Sequence, residues 1–174
     1  MIAAVVLAAG ASSRFGSPKQ ALLLPTVLER VRASGAEDVV VVLGAHEVES
    51  DARAVHCPDW ERGPGASLRC GLAALADETE AAVVVLADGP RLSPAAIDRV
   101  VEAWREFGTE VVAASYGGER DHPVLLARAA WHRVPDAGAR ALVPLLVPCD
   151  DLGAPGDIDT PDDLGRYRRA PEEP

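Results

Sequence analysis

Unbroken apolar runs, rather than alternating ones, set the pattern of this chain. Residues 2–7 (IAAVVL), 38–43 (DVVVVL) and 81–87 (AAVVVLA) are too short for helices and apolar at nearly every position, as expected of strands covered on both faces. Residues 110–115 add another run, and 55–58 a short one. Between them the signals turn helical. Thr26 and Glu29 form a T-x-x-E capping box that predicts a helix over 27–34, closed by Gly35. A second helix is expected over about 67–75, after a loop at 59–65, and a third from Pro94 to about 107 with Ser93 as its cap. Strands of this kind alternating with helices predict an α/β fold, a three-layer α/β/α arrangement around a mostly parallel, Rossmann-like sheet.

Such sheets bind ligands beyond the carboxyl ends of their strands. That rule selects the loop after Leu7, the loop after Leu43, and Asp88 at the end of the 81–87 strand. The first of these reads VVLAAGASSRFGSPK, a glycine-rich turn carrying two cations, Arg14 and Lys19. Bare N–H groups and two cations suit a polyphosphate. Taken alone, Gly10 also fits a strand-ending turn, and Arg14 and Lys19 also fit solvated surface charges. The loop is neither G-x-x-x-x-G-K-[ST] nor G-x-G-x-x-G.

Length and charge narrow the classes. With 174 residues, 48% of them hydrophobic, a single domain over 1–174 is expected, its last residues, 166–174, reading as a frayed tail. A net charge of −10 argues against a nucleic-acid partner, so positive charge for a polyanion has to be concentrated locally, as it is in the first loop. No run reaches membrane-spanning length, and the apolar start lacks a preceding basic region. Cys57, Cys70 and Cys149 are far apart and form no C-x-x-C, so they read as buried, reduced small hydrophobes in a cytoplasmic protein with no disulfide framework or zinc site.

The stretch L-A-A-G-A-S-S-R-F-G-S-P-K resembles the signature of MobA/MocA-like nucleotidyltransferases, and further segments are similar to the molybdenum cofactor cytidylyltransferase branch. These are residues 58–72 (PDWERGPGASLRCGL), 116–125 (YGGERDHPVL), 138–142 (GARAL) and 157–164 (DIDTPDDL). The chain departs from that branch in its short turn at Leu24-Pro25-Thr26, in Asp88-Gly89-Pro90 where Asp-Gln-Pro is common, and in a short loop before Gly138. The resemblance implies the nucleotide-diphospho-sugar transferase fold and transfer of a nucleoside monophosphate from an NTP, CTP in that branch, to molybdopterin carrying molybdenum, with release of pyrophosphate.

By the same resemblance Arg14, Lys19 and Asp88 are catalytic. Leu7, Ala8, Ala9, Gly10, Ala11, Ser12, Arg14, Lys19, Gly63, Gly65 and Ser67 bind the nucleotide, His122 and Arg140 border the acceptor, and Asp88 and Asp157 hold Mg2+. The chemistry is coherent, because nucleotidyl transfer needs charge neutralisation and in-line placement more than covalent help, and magnesium suits one or two carboxylates plus substrate oxygens. Asp159-Thr160-Pro161 also reads as a helix start with Asp163 completing a capping box. His46, His56 and His132 read as structural. Guanylyl transfer, or cytidylyl transfer to another phosphate monoester, is the alternative within this class. Outside it stands a non-catalytic nucleotide-binding accessory protein, and a molybdenum hydroxylase apoenzyme or its chaperone is a candidate partner.

Overall fold

The computed structural model describes residues 1–11 and 19–169. Seven strands form one sheet: β1 (Ile2–Leu7), β2 (Asp38–Leu43), β3 (Arg53–His56), β4 (Ala81–Leu86), β5 (Val111–Tyr116), β6 (Glu119–Ala127) and β7 (Leu145–Pro148). Their order across the sheet is β3-β2-β1-β4-β6-β5-β7, and only β6 runs antiparallel to its neighbours. The continuous apolar runs are explained by burial on both faces. In β1, Ala4 and Val6 point into one core while Ala3 and Val5 point into the other, and all four are fully buried.

Helices cover both faces, giving the expected three layers. On one side lie α1 (Lys19–Arg32) and α3 (Pro94–Phe107), which contribute Leu24, Leu28, Val31, Ile97 and Val100. On the other, α2 (Pro64–Ala73) contributes Leu68 and Leu72. A Cβ on Gly71 would fall 2.5 Å from Val5 and 2.7 Å from Val42, so this glycine lets α2 sit directly on β1 and β2. The chain ends its described part in α4 (Pro161–Arg169), where Thr160 and Asp163 form the expected reciprocal cap: Asp163 N donates to Thr160 Oγ1 (3.2 Å) and Thr160 N to Asp163 Oδ2 (2.9 Å).

Several expectations are corrected. The first helix does not begin at the T-x-x-E box but eight residues earlier than Val27, and it runs through Pro25. The buried positions Leu23, Leu24, Val27, Leu28 and Val31 follow helical spacing across the proline, which lies on the exposed side, where water can satisfy the carbonyl it leaves without an N–H. Helix α2 starts at Pro64 rather than near Ser67, with Pro64 in its first turn. Ser93 precedes α3 as expected, but its hydroxyl makes no capping bond; Gly108, at φ 62°, closes that helix. Cys57 and Cys70 are not separate thiols: they are joined by a disulfide, with Cα atoms 5.8 Å apart, and Cys149 is free and buried. The cysteines therefore give no support to a reducing compartment. No helix among the described residues is long and apolar enough to cross a membrane.

Candidate active site

The carboxyl edge of the sheet is extended past the strands by backbone bonds. Ala8 N donates to Val42 O (2.9 Å), Ala45 N to Ala9 O (3.1 Å) and Ala87 N to Leu7 O (3.1 Å), so the segments leaving β1, β2 and β4 stay side by side. Between them opens a cavity of about 410 Å³ lined by Leu7, Ala9, Gly10, Lys19 and Gln20 from the first strand and helix. Trp60, Gly63, Pro64 and Ser67 close one side, and Leu86, Ala87, Asp88 and Asp159 the other. It lies where β1 sends its connection to β2 on one side while β4 pairs on the other, the switch point at which such sheets bind ligands.

Lys19 is the most constrained polar group here. Its side chain is only 9% exposed, and its Nζ donates to Asp88 Oδ2, Asp159 Oδ1 and the Ile158 carbonyl, each at 2.8 Å. Burial works against the ammonium charge, but the bonds to Asp159 and Asp88 outweigh it and raise the Lys19 pKa above its ordinary value. Asp88 uses one carboxylate oxygen on Lys19. The other, Oδ1, is buried and has no hydrogen-bond partner among the described residues. A buried carboxylate oxygen in that condition is costly unless something positive meets it. Gln20, also buried, donates from Nε2 to the Gly10 carbonyl (2.8 Å), and His46 Nε2 lies 2.9 Å from the Ala11 carbonyl, so the start of the loop is held from two sides.

The acidic segment reaches this place through its backbone: Ile158 N donates to Asp88 O (3.1 Å) and Arg91 N to Pro155 O (3.0 Å). It splits the two carboxylates. Asp159 borders the main cavity and shares Lys19 with Asp88, whereas Asp157 borders a small neighbouring cleft with Gly89, Pro155, Asp121 and His122. Loss of surrounding water, then the charges of Asp88, Asp121 and Asp159, push the Asp157 carboxyl up, with His122 opposing. Four carboxylates thus crowd one edge. Among the described residues no three Asp, Glu, His or Cys groups are arranged to hold a metal by themselves, so a cation at Asp88 would need ligands from a substrate, which is the habit of magnesium.

The sequence-derived candidates separate cleanly. Lys19 and Asp88 meet in one hydrogen bond, and Leu7, Ala9, Gly10, Gly63 and Ser67 line the same cavity as they do. Ala8 is buried behind it, and Ala11 is exposed at the end of the described loop. Arg14 and Ser12 lie outside the described residues. Gly65 is not among the residues lining the cavity and has a packing duty: a Cβ there would fall 1.7 Å from the Pro135 carbonyl oxygen, and its N–H donates to Asp136 O (3.0 Å), so it seats α2 on the 135–138 turn. His122 stands beside Asp157, at a register break in β6 where His122 and Pro123 are passed over between the pairs Ala114–Asp121 and Ala113–Val124. Arg140 is exposed on a turn that Arg120 holds by bonds to the carbonyls of Ala139 (3.0 Å), Arg140 (3.3 Å) and Leu142 (2.7 Å), and it borders neither cavity. Sequence reasoning passed over Gln20, Trp60 and Arg120. Gln20, next to Lys19, was open to detection as a polar residue beginning a buried helical stripe.

This geometry has relatives. Residues 4–146 match the MobA-like NTP transferase domain. The chain belongs to that family. Among solved structures it is similar to Rv0371c from Mycobacterium tuberculosis H37Rv, with 28% identity, a TM-score of 0.79 and 97% of each chain covered. A second structure of that protein, in complex with manganese, superposes with a TM-score of 0.77 at 25% identity, covering 97% of this chain and 98% of that one. Among characterised relatives, nicotine blue oxidoreductase of Paenarthrobacter nicotinovorans is 29% identical over 197 aligned positions, 95% of each chain. The fold is that of the nucleotide-diphospho-sugar transferases.

Proposed function

We propose that the protein moves a nucleoside monophosphate from CTP to a phosphorylated acceptor, molybdopterin of the molybdenum cofactor, and releases pyrophosphate. The observation that carries the reading is the pairing of a buried lysine with a carboxylate whose second oxygen has no hydrogen-bond partner among the described residues, at a cavity also lined by Gly10. Family membership and the cavity's place at the switch point support it.

The residues divide the work. Gly10, Ala11 and Ser12 are assigned to the triphosphate through their backbone groups, and among the described residues a Cβ at Gly10 would meet nothing nearer than Gln20 Nε2, at an ordinary contact distance of 3.7 Å. Arg14 and Lys19 offset charge building on the leaving pyrophosphate. Asp88, with Asp157 nearby, is suited to hold Mg2+, which when bound would neutralise phosphate oxygens. The manganese complex of the mycobacterial relative supports a divalent cation in this family. Gly63 and Ser67 offer backbone and hydroxyl groups to the base. His122 and Arg140 are assigned to the acceptor, whose phosphate is ionised near neutral pH, so His122 needs only to bind. The acidic edge at Asp121, Asp157 and Asp159 repels a bare phosphate, so acceptor binding depends on the cation as well.

The nucleotide preference is tested by thermal unfolding with Mg2+. At about 100 times its dissociation constant a ligand adds roughly 2.7 kcal/mol. CTP is expected to shift the midpoint more than ATP or GTP; a larger shift with GTP points to guanylyl transfer, and equal shifts remove the case for a cytosine site. The oxidoreductase relative supports a second reading, a redox reaction on an organic substrate. That chemistry needs an electron carrier such as a nicotinamide cofactor, and a change in its redox state without pyrophosphate release would favour it.

A further inference from the structure

Trp60 borders the main cavity. It sits in the 3-10 turn Trp60–Arg62 that leads into α2, half-buried against the α2-side core. Two small residues make room for it. A Cβ on Gly44 would fall 2.7 Å from both Cβ and Cγ of Trp60, and Ala9 Cβ lies 2.8 Å from that same point. Any larger residue at Gly44 would therefore push the indole off the ends of β1 and β2.

The cavity has two unlike ends. Trp60 packs at Gly44, just beyond β2, in the company of Leu7, Ala9 and Pro64. Lys19, Asp88 and Asp159 cluster just beyond β4. Two strand spacings separate β2 from β4, roughly 10 Å, with the Gly10 turn between them. A ligand filling this space is flat and weakly polar at one end and, once a divalent cation at Asp88 joins Lys19 in offsetting the carboxylates, anionic at the other, with a linker between. A nucleoside triphosphate meets that description.

We infer that Trp60 is the platform on which the nucleobase stacks. The inference rests on the nucleotide reading above and deepens it: the indole sets affinity for every base alike, because every base offers a π-face, and the choice among bases falls to the edge groups at Gly63 and Ser67. Trp60 is a positioning residue that holds the nucleoside so that its phosphates reach Lys19 and Asp88.

The two other tryptophans make the test direct. Trp131 donates its Nε1 to the Leu126 carbonyl (3.1 Å), and Trp104 borders a separate cleft with Met1 and Glu37 at the other end of the sheet. Titration of the intact protein with CTP, GTP and ATP in the presence of Mg2+ is expected to quench tryptophan fluorescence. In Trp60→Leu the quench disappears and affinity for all three falls roughly tenfold or more, while Trp60→Phe, which keeps a stacking face and guards against a folding defect, retains most of both. Inorganic tripolyphosphate has no base, so its affinity should be the same in all three proteins. Loss of tripolyphosphate binding in step with CTP would make Trp60 merely structural and overturn the proposal, as would equal CTP affinity in wild type and Trp60→Leu. Wild-type protein that binds tripolyphosphate but no nucleoside triphosphate would overturn the nucleotide reading itself, and this inference with it.

Discussion

Lys19 and Asp88 stand 69 residues apart in sequence and are joined by a 2.8 Å hydrogen bond at the end of the cavity. Lys19 also holds Asp159 at 2.8 Å, so one buried ammonium keeps two carboxylates together. Lys19→Met leaves those carboxylates facing each other without a counter-charge. The expected loss of stability is about 2 kcal/mol, less than the roughly 3–5 kcal/mol of a fully buried pair, because Asp88 and Asp159 are 25% and 34% exposed. Asp88→Asn costs less, since Asp159 still pairs with Lys19. Urea unfolding of the two variants tests the order, and a more stable Lys19→Met would contradict it.

Two glycines of the expected nucleotide site should behave in opposite ways. Gly10→Ala places a methyl group at ordinary contact distance from Gln20 Nε2, 3.7 Å, so stability should stay within about 0.5 kcal/mol of wild type while affinity for CTP falls. Gly65→Ala drives a methyl group into the Pro135 carbonyl and should cost about 3 kcal/mol. Chemical denaturation and nucleotide titration of both variants separate the roles; a stable Gly65→Ala with weakened CTP binding would return Gly65 to the ligand.

The disulfide has a direct count attached to it. Denatured, unreduced protein should show one reactive thiol, Cys149, and denatured, reduced protein three. Cys57 and Cys70 close a 13-residue separation, so reduction should lower stability by about 3 kcal/mol. Three thiols without reductant would show that the bridge does not form in the purified protein.

What could be read from the sequence follows physical lines. The four long parallel strands were legible because burial on both faces makes them apolar throughout. β6 and β7 were not. β6 begins with Glu119, Arg120, Asp121 and His122, a polar stretch near the site, and β7 is a short edge strand whose burial alternates. The Gly117-Gly118 pair, both at positive φ, was nonetheless a two-residue hairpin signal between β5 and β6. Lys19 and Asp88 were found from motif and strand end. That Asp159, not Asp157, shares Lys19 depends on the path of the 155–158 segment beside Asp88, which no local pattern encodes. The T-x-x-E box misled because a capping signal is worth less than the buried stripe running through Pro25.

The acceptor assignment predicts a divided kinetic effect. His122 borders the cleft beside Asp157, and Arg140 lies on an exposed turn, neither on the main cavity. His122→Ala and Arg140→Ala should raise the apparent KM for the acceptor and leave CTP affinity nearly unchanged, with Arg140→Ala the more severe because a charge-assisted contact is worth about 1.5–3 kcal/mol. Acceptor kinetics with CTP titrations decide this, and a parallel loss of CTP affinity would place these residues in the nucleotide site.

The most direct test of nucleotidyl transfer is pyrophosphate release by the purified protein given CTP, Mg2+ and molybdopterin, measured beside Asp88→Asn. The account predicts release that depends on the acceptor and the cation in wild type, and release lowered by several orders of magnitude in a folded Asp88→Asn protein. Release at the wild-type rate by Asp88→Asn would contradict it, as would a wild-type protein that binds CTP and acceptor together and yields no pyrophosphate.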